Sequence, residues 1–221
     1  MLSGFYIATI NIILCSFFSY YLGPIVKKLG EKFKIIDIPN LRKVHTQPIV
    51  RIGGLTIFSV FSIYLLLTSF FIEFQNFDSN ILYKFYIFLI GGVLFFLIGI
   101  HDDIYKSSPF LRLCLQFIVA TFVAFNGLNF GSINFYIPFL GQFDILMPPI
   151  INYLFSAFWI VAITNAINWI DGIDALAGGY CAILSVGICT LMLIQDNSLG
   201  ILFSSIILGS IVGFLIRNFK P

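Results

Sequence analysis

The fold is decided by an apolar stretch that ends in two acids, FYIFLIGGVLFFLIGIHDD, residues 85–103. No Asp, Glu, Lys or Arg stands between Lys84 and Asp102. The run is close to the roughly 20 residues that an α-helix needs to cross the hydrocarbon core of a bilayer. It predicts a transmembrane helix that carries Asp102 and Asp103 in its last turn, at the membrane boundary.

The rest of the chain has the same apolar character. Of its 221 residues, 59% are hydrophobic and 10% are Asp, Glu, Lys or Arg, a charged fraction far below that of soluble domains. This composition argues against a water-soluble globular protein. The near balance of 12 basic and 10 acidic residues argues against nucleic-acid binding. The 4 cysteines lie inside apolar runs, without disulfide or zinc spacing.

Windows of bilayer-spanning length give seven candidate spans. They lie near residues 4–26, 53–72, 85–101, 109–126, 147–168, 176–194 and 200–217. We therefore expect an all-α polytopic membrane protein, with residues 1–221 as a single transmembrane domain. Residues 127–146 alternate apolar and polar side chains, which predicts a short hairpin on the extracytoplasmic membrane surface.

Basic residues indicate the orientation, because short loops rich in Lys and Arg stay in the cytoplasm. Every Lys and Arg except Lys84 follows span 1, span 3 or span 7, or lies in the first turn of span 4. We therefore expect the N-terminus outside the cell and the odd-numbered spans to end in the cytoplasm. The polar ends of spans 1, 3 and 5 then share the cytoplasmic face.

Asp102 and Asp103 are the first candidates for chemistry on this face. Consecutive helical residues point about 100° apart, which favours two roles over one shared ion. Neighbouring carboxylates suit Mg²⁺, which prefers oxygen ligands. The alternative is that both acids only mark the boundary between membrane and water.

A second candidate group lies at the end of span 5. Asn165, Asn168 and Asp171 recur every third residue and form a polar stripe, and Asp174 follows in the turn before span 6. Alternatively, the asparagines bond a neighbouring helix and the acids cap the next one.

A basic loop follows span 1. Arg42, Lys43, His45 and Arg51 precede a helix start at Gly53-Gly54. Such a loop can hold phosphate through side-chain charge and backbone N–H groups. The alternative is that it binds anionic lipid headgroups or only fixes the topology.

These segments, in this order, resemble the bacterial polyprenyl-phosphate N-acetylhexosamine-1-phosphate transferases. The resemblance rests on Asp37-Ile-Pro39 with Arg42–Gly54, on Gly99-Ile-His-Asp-Asp103, on Ser108-Pro109 followed by Arg112 and Gln116, and on Asn165–Gly179. It implies transfer of a sugar 1-phosphate from a UDP-sugar to a polyprenyl phosphate such as undecaprenyl phosphate, with release of UMP. It also implies Mg²⁺, or Mn²⁺, as cofactor and a cytoplasmic active face in the bacterial inner membrane.

The resemblance also implies roles for particular residues. Asp102 and Asp103 would be catalytic, and Asp103 and Asp171 would contact the metal. The substrates would be held by His45, Arg51, Arg112, Asn165, Asn168 and Asp174. The partners would be the UDP-sugar, the polyprenyl lipid and the membrane, and a homodimer is compatible with this arrangement.

Two departures from the family pattern keep other functions open. Ala175 stands where the family usually has glycine, and the chain stops where related sequences continue into a Gly-Asp metal motif, further spans and a His-rich loop. We therefore expect a fragment or truncated product covering about two thirds of a typical member. The alternatives are an inactive truncated or regulatory membrane subunit and, less favoured, a cation or proton transporter. The loop around His45 and Arg51 resembles that of the simple-sugar branch of the family, which implies GlcNAc as the sugar.

Overall fold

The computed structural model describes residues 2–37, 49–71, 78–139, 141–171 and 175–218. The helices in these ranges are α1 (Leu2–Lys32), α2 (Gly54–Phe71), α3 (Ser79–Tyr105), α4 (Pro109–Phe125), α5 (Pro149–Ile170), α6 (Leu176–Ile194) and α7 (Ser198–Asn218). The strands are β1 (Ile36–Asp37), β2 (Ile49–Val50), β3 (Ser132–Ile137) and β4 (Gly141–Leu146). A 3-10 turn at Arg51–Gly53 leads into α2.

The predicted all-α polytopic fold is confirmed. Six of the described helices are long and apolar enough to cross a membrane, and α4, with 17 residues, is at the lower limit for a span. The predicted hairpin is also present, as the antiparallel pair β3–β4.

The helix ends differ from the ends of the predicted spans, because the thickness of the bilayer determines only how long the apolar part of each helix must be. Beyond the apolar run, caps decide where a helix begins and ends. α3 begins after Asp78, whose side chain accepts a hydrogen bond from the Asn80 backbone N–H, and it extends past both ends of the predicted 85–101. α1 continues through Pro24 to Lys32, past the predicted end at 26.

The chain divides into two compact units, Met1–Phe74 with Ile167–Pro221 and Gln75–Ala166. The first unit centres on α1 and α7, which pack with their backbones close together. A Cβ added at Gly209 of α7 would lie 2.7 Å from the Ile12 carbonyl oxygen of α1, and one at Gly213 would overlap the Ser16 carbonyl. Glycine at these positions therefore permits the close approach, as at other helix contacts in membranes.

Buried polar side chains reinforce the contact between α1 and α7. Asn11 donates to the Ser205 hydroxyl at 3.0 Å, and the Ser19 hydroxyl donates to the Ser210 carbonyl at 2.7 Å. Asn11 also accepts a hydrogen bond from Tyr64 of α2 at 3.0 Å. In an apolar surrounding these pairs satisfy groups that would otherwise be costly to bury.

The helices α1 and α7 run parallel. Gly4 lies against Ile201 near their beginnings, and the Arg217 guanidinium stacks over the Tyr20 ring near the end of α7. Two parallel spans must be separated by an odd number of crossings. Five described helices, α2 to α6, lie between them in sequence. If α2, α3, α5 and α6 each cross the membrane, the shorter α4 must cross as well, in agreement with seven predicted spans.

The second unit contains α3, α4, the β3–β4 hairpin and most of α5. Gly91 of α3 faces Val123 of α4, and the core between α4 and α5 is formed by Ala120, Ala157 and Val161. Small side chains therefore let these helices approach closely. Their packing brings the polar residues of α3, α4 and α5 into contact.

Candidate functional site

The connection between α3 and α4 positions the first group of site residues. α3 ends at Tyr105 and is capped by Lys106, whose φ of 51° lies in the left-handed region and whose N–H donates to the Asp102 carbonyl at 2.8 Å. Ser108 then caps α4, with its hydroxyl accepting from the Leu111 N–H, and Pro109 occupies the first turn, as predicted. This short turn places the last turn of α3 beside the first turn of α4.

An ion pair joins the two helices at this point. Arg112 Nη1 donates to Asp102 Oδ2 at 2.7 Å, and the two side chains are 22% and 24% exposed. The Nε atom of Arg112 is buried and has no hydrogen-bond partner among the described residues. The guanidinium is therefore oriented by one carboxylate, while its Nε donor is closed to solvent.

One turn further along α4, a second polar contact reaches α5. The buried Gln116 accepts a hydrogen bond through Oε1 from Asn165 Nδ2 at 2.7 Å. The same Asn165 nitrogen also donates to the Val161 carbonyl at 2.8 Å. Arg112 and Gln116 are four residues apart and share one face of α4, so α4 links Asp102 of α3 to Asn165 of α5.

Asp103 and His101 complete the last turn of α3. Asp103 is half-buried, and His101 is exposed. The His101 ring nitrogen Nδ1 and the Ser107 hydroxyl are 2.9 Å apart, and the ring packs against Tyr105. Both acids are half-buried, and the expectation that they have two different roles stays a prediction.

The remaining described candidates belong to the first unit. Asn168 lies in the last turn of α5, and Asp171 follows its end; both side chains are exposed. Arg51, also exposed, begins the 3-10 turn before α2, and its backbone N–H donates to the Ile35 carbonyl at 3.2 Å.

The two-residue strands β1 and β2 close the base of the basic loop, a feature that the sequence pattern does not predict. Ile36 pairs with Val50, and Asp37 pairs with Ile49. The pairing brings the two ends of the loop together. His45 and Asp174 lie outside the described residues, as do Arg42 and Lys43.

The structure brings together Asp102 with Arg112 and Asn165 with Gln116. The role of Gln116 as a partner of Asn165 was missed, although its spacing of four from Arg112 was the available signal. No group of three His, Cys, Asp or Glu side chains that could hold a metal occurs within the described ranges. The predicted metal contacts of Asp103 and Asp171 stay predictions.

Comparison with known proteins gives a consistent family. The profile described as glycosyl transferase family 4 matches residues 85–221. A Bacillus subtilis protein named probable undecaprenyl-phosphate N-acetylglucosaminyl 1-phosphate transferase is 33% identical over 201 residues, covering 90% of this chain and 52% of that protein. The chain spans about half the length of the curated relatives it matches.

More distant relatives carry similar names. The decaprenyl-phosphate N-acetylglucosaminephosphotransferase of Mycolicibacterium smegmatis is 28% identical over 211 residues, covering 91% of this chain and 51% of that protein. The undecaprenyl-phosphate alpha-N-acetylglucosaminyl 1-phosphate transferase of Yersinia pestis is 27% identical over 196 residues, covering 88% and 50%.

Proposed function

Because the chain belongs to glycosyl transferase family 4, we propose that it acts in the transfer of GlcNAc-1-phosphate from a UDP-sugar to a polyprenyl phosphate, with release of UMP. The lipid acceptor would be undecaprenyl phosphate, and the product would start a cell-envelope polysaccharide. The named relatives support the acceptor and the sugar. The identification of UDP as the carrier rests on the resemblance described above.

The observation that carries the proposal is the Asp102–Arg112 pair at the junction of two membrane helices. A cation and carboxylates at the end of an apolar helix lie at the depth of lipid headgroups. A lipid phosphate anchored by its own chain reaches this depth without leaving the bilayer. The pair is partly exposed, so a phosphate can approach it.

We assign the positioning of the lipid phosphate to Arg112. Its guanidinium is fixed by Asp102, and its N–H groups other than the buried Nε–H can donate to phosphate oxygens. A phosphate monoester with a second pKa of about 6 is mostly dianionic at neutral pH, so its oxygen needs orientation more than deprotonation. Asp102 prevents the guanidinium from rotating away from this oxygen.

The proposed reaction is a phosphoryl transfer. An oxygen of the lipid phosphate forms a bond to the sugar-bearing phosphorus of the UDP-sugar. The bond between that phosphorus and the oxygen bridging to the nucleotide breaks, and UMP leaves with the electron pair. Such reactions depend mainly on positioning and charge neutralisation.

The donor chemistry of this chain fits a magnesium ion. Asp103 and Asp171 each supply a carboxylate, the ligand type that Mg²⁺ prefers, and we propose each of them as a magnesium ligand, as the family resemblance implies. When bound, the ion would neutralise charge on the phosphates. Asn165 and Asn168 would contact the nucleotide. We also propose the inner membrane as the location, with the site on its cytoplasmic face.

The test measures UMP release and organic-extractable sugar from radiolabelled UDP-GlcNAc, using membranes that carry the full reading frame and added undecaprenyl phosphate. We expect both products to depend on Mg²⁺ and on the lipid. Asp144→Asn, an exposed acid on the hairpin, is the matched control for variants of the site. Absence of lipid-dependent UMP above membranes without the protein would contradict the proposal.

A further inference from the structure

The β3–β4 hairpin has one apolar face and one polar face. Opposite residues of an antiparallel pair place their side chains on the same face. Ile133 pairs with Ile145, and Ile137 is on the same face of β3. On the other face Asn134 pairs with Asp144, and Tyr136 pairs with Gln142. The hairpin is therefore amphipathic across its width.

The apolar face is partly exposed. Ile137 is 38% exposed, Phe143 40% and Ile145 49%, and Phe139 at the tip is fully exposed. An isolated two-stranded hairpin is marginally stable in water. Contact of this face with an apolar medium would stabilise it.

Hydrogen bonds hold the base of the hairpin against the first turns of α5. Asn152 donates to the Asn129 side chain at 2.8 Å and accepts from the Gly131 N–H at 3.3 Å, and the Phe130 N–H donates to the Ser156 hydroxyl at 3.2 Å. Asn152 and Ser156 are buried. On the other side, β4 ends at Leu146 and α5 begins at Pro149. Both ends of the hairpin are thus tied to the end of a membrane helix.

The sequence around the hairpin carries almost no charge. Asp144 is the one Asp, Glu, Lys or Arg between Arg112 and Asp171. Leu146, which pairs with Ser132 and so shares the face of Asp144, is 82% exposed, and Ile150 in the first turn of α5 is 72% exposed. Exposed apolar residues therefore continue from the end of β4 into a membrane span without a charged residue.

We propose that the apolar face of the β3–β4 hairpin and Phe139 lie in the interfacial layer of the bilayer. The polar face, with Asp144 and Gln142, then faces water. The 17 residues of α4 place this contact about 25 Å along the helix from its first turn, at 1.5 Å per residue, so the hairpin lies at the opposite membrane face from Arg112. Phe139 at the tip adds apolar surface to this contact, as Phe does on other interfacial segments.

Spin labelling of the full chain in lipid nanodiscs tests this contact. A nitroxide is attached to Phe139→Cys, Ile145→Cys or, as the polar-face control, Gln142→Cys, and the unsubstituted chain gives the background from the native cysteines. We expect oxygen to relax the labels at 139 and 145 more than a water-soluble nickel chelate does. At 142 we expect the reverse. Stronger relaxation by nickel at 139 and 145 would overturn the proposal.

The same labels distinguish lipid from a second copy of the chain. The measurement is repeated with one chain per nanodisc and with two or more. An oxygen preference that is unchanged by this dilution supports lipid contact. A preference that is lost with one chain per disc would show that another copy covers the face, and it would overturn the proposal.

Discussion

Asn165 of α5 donates a hydrogen bond to Gln116 of α4 at 2.7 Å, one helical turn from the Arg112–Asp102 ion pair. Gln116 is only 6% exposed, so this contact is made away from water. Two candidate residues that are far apart in sequence, Asp102 and Asn165, are therefore both fixed by one face of α4. Under the proposed function, this face aligns the lipid-phosphate group with a nucleotide-binding group.

We expect Gln116→Met to lower kcat/KM for UDP-GlcNAc by about tenfold, because loss of one partner from a buried hydrogen bond costs about 1–3 kcal/mol. Gln116→Glu retains an acceptor oxygen for Asn165 and should recover most of the activity. The measurement is initial-rate kinetics at matched membrane levels, with the exposed Gln142→Met as control. Equal kinetics for Gln116→Met and the unsubstituted protein would exclude a positioning role.

The Asp102–Arg112 pair should behave as one functional group. We expect Asp102→Asn and Arg112→Gln each to cut turnover by at least about a hundredfold, as for loss of a major electrostatic group. The turnover of the double variant should be little lower than that of either single variant, since each single substitution already breaks the same ion pair. Membrane levels should hardly change, and Asp144→Asn serves as control.

Asp103→Asn should also cut turnover by about a hundredfold or more, because it removes a carboxylate proposed to hold the metal. The Mg²⁺ dependence of its rate should differ from that of Asp102→Asn. We expect the Mg²⁺ concentration needed for half-maximal rate to rise in Asp103→Asn and to stay unchanged in Asp102→Asn. Wild-type turnover in both variants would show that the acids only mark the membrane boundary.

Span positions could be predicted from the sequence because the bilayer imposes a length of apolar residues on each crossing. The α4 start was also predictable, since Pro109 fits only the first turn of a helix and Ser108 is a good cap. The hairpin was predictable from the alternation around Ile133 and Ile137. These are local signals that do not depend on what packs against them.

Contacts between distant segments could not be predicted in the same way. Ser205, Gly209 and Gly213 are spaced by four residues, which marks a contact face of α7, but nothing local identifies α1 as its partner. The pairing of Gln116 with Asn165 likewise depends on how α4 packs against α5. The periodicity of one sequence shows which face of a helix makes contacts, but it does not identify the helix that packs against that face.

Because α1 packs closely against α7, a larger side chain at their contact should lower the stability of the protein. Gly209→Val should lower the unfolding temperature in detergent by about 2–12 °C, because overpacking costs about 1–3 kcal/mol and each kcal/mol shifts Tm by about 2–4 °C in a chain of this size. Gly187→Val is the matched control, since a Cβ at this helical glycine meets nothing within 4 Å. Equal unfolding temperatures for the two variants would contradict the close contact.

The final prediction concerns orientation, on which the assignment of a cytoplasmic site depends. All Lys and Arg except Lys84 lie on one side of the predicted topology, and this bias orients spans with their basic loops in the cytoplasm. The parallel packing of α1 and α7 adds that residues preceding these two helices share one face. Asp78, before α3, and Asp196, before α7, are therefore expected outside, and Lys106, after α3, inside.

A membrane-impermeant maleimide applied to intact spheroplasts should label Asp78→Cys and Asp196→Cys and leave Lys106→Cys unlabelled until the membrane is opened. The unsubstituted chain gives the background from the native cysteines. Labelling of Lys106→Cys alone in intact spheroplasts would invert the topology and would place Asp102 and Arg112 away from cytoplasmic nucleotide sugars.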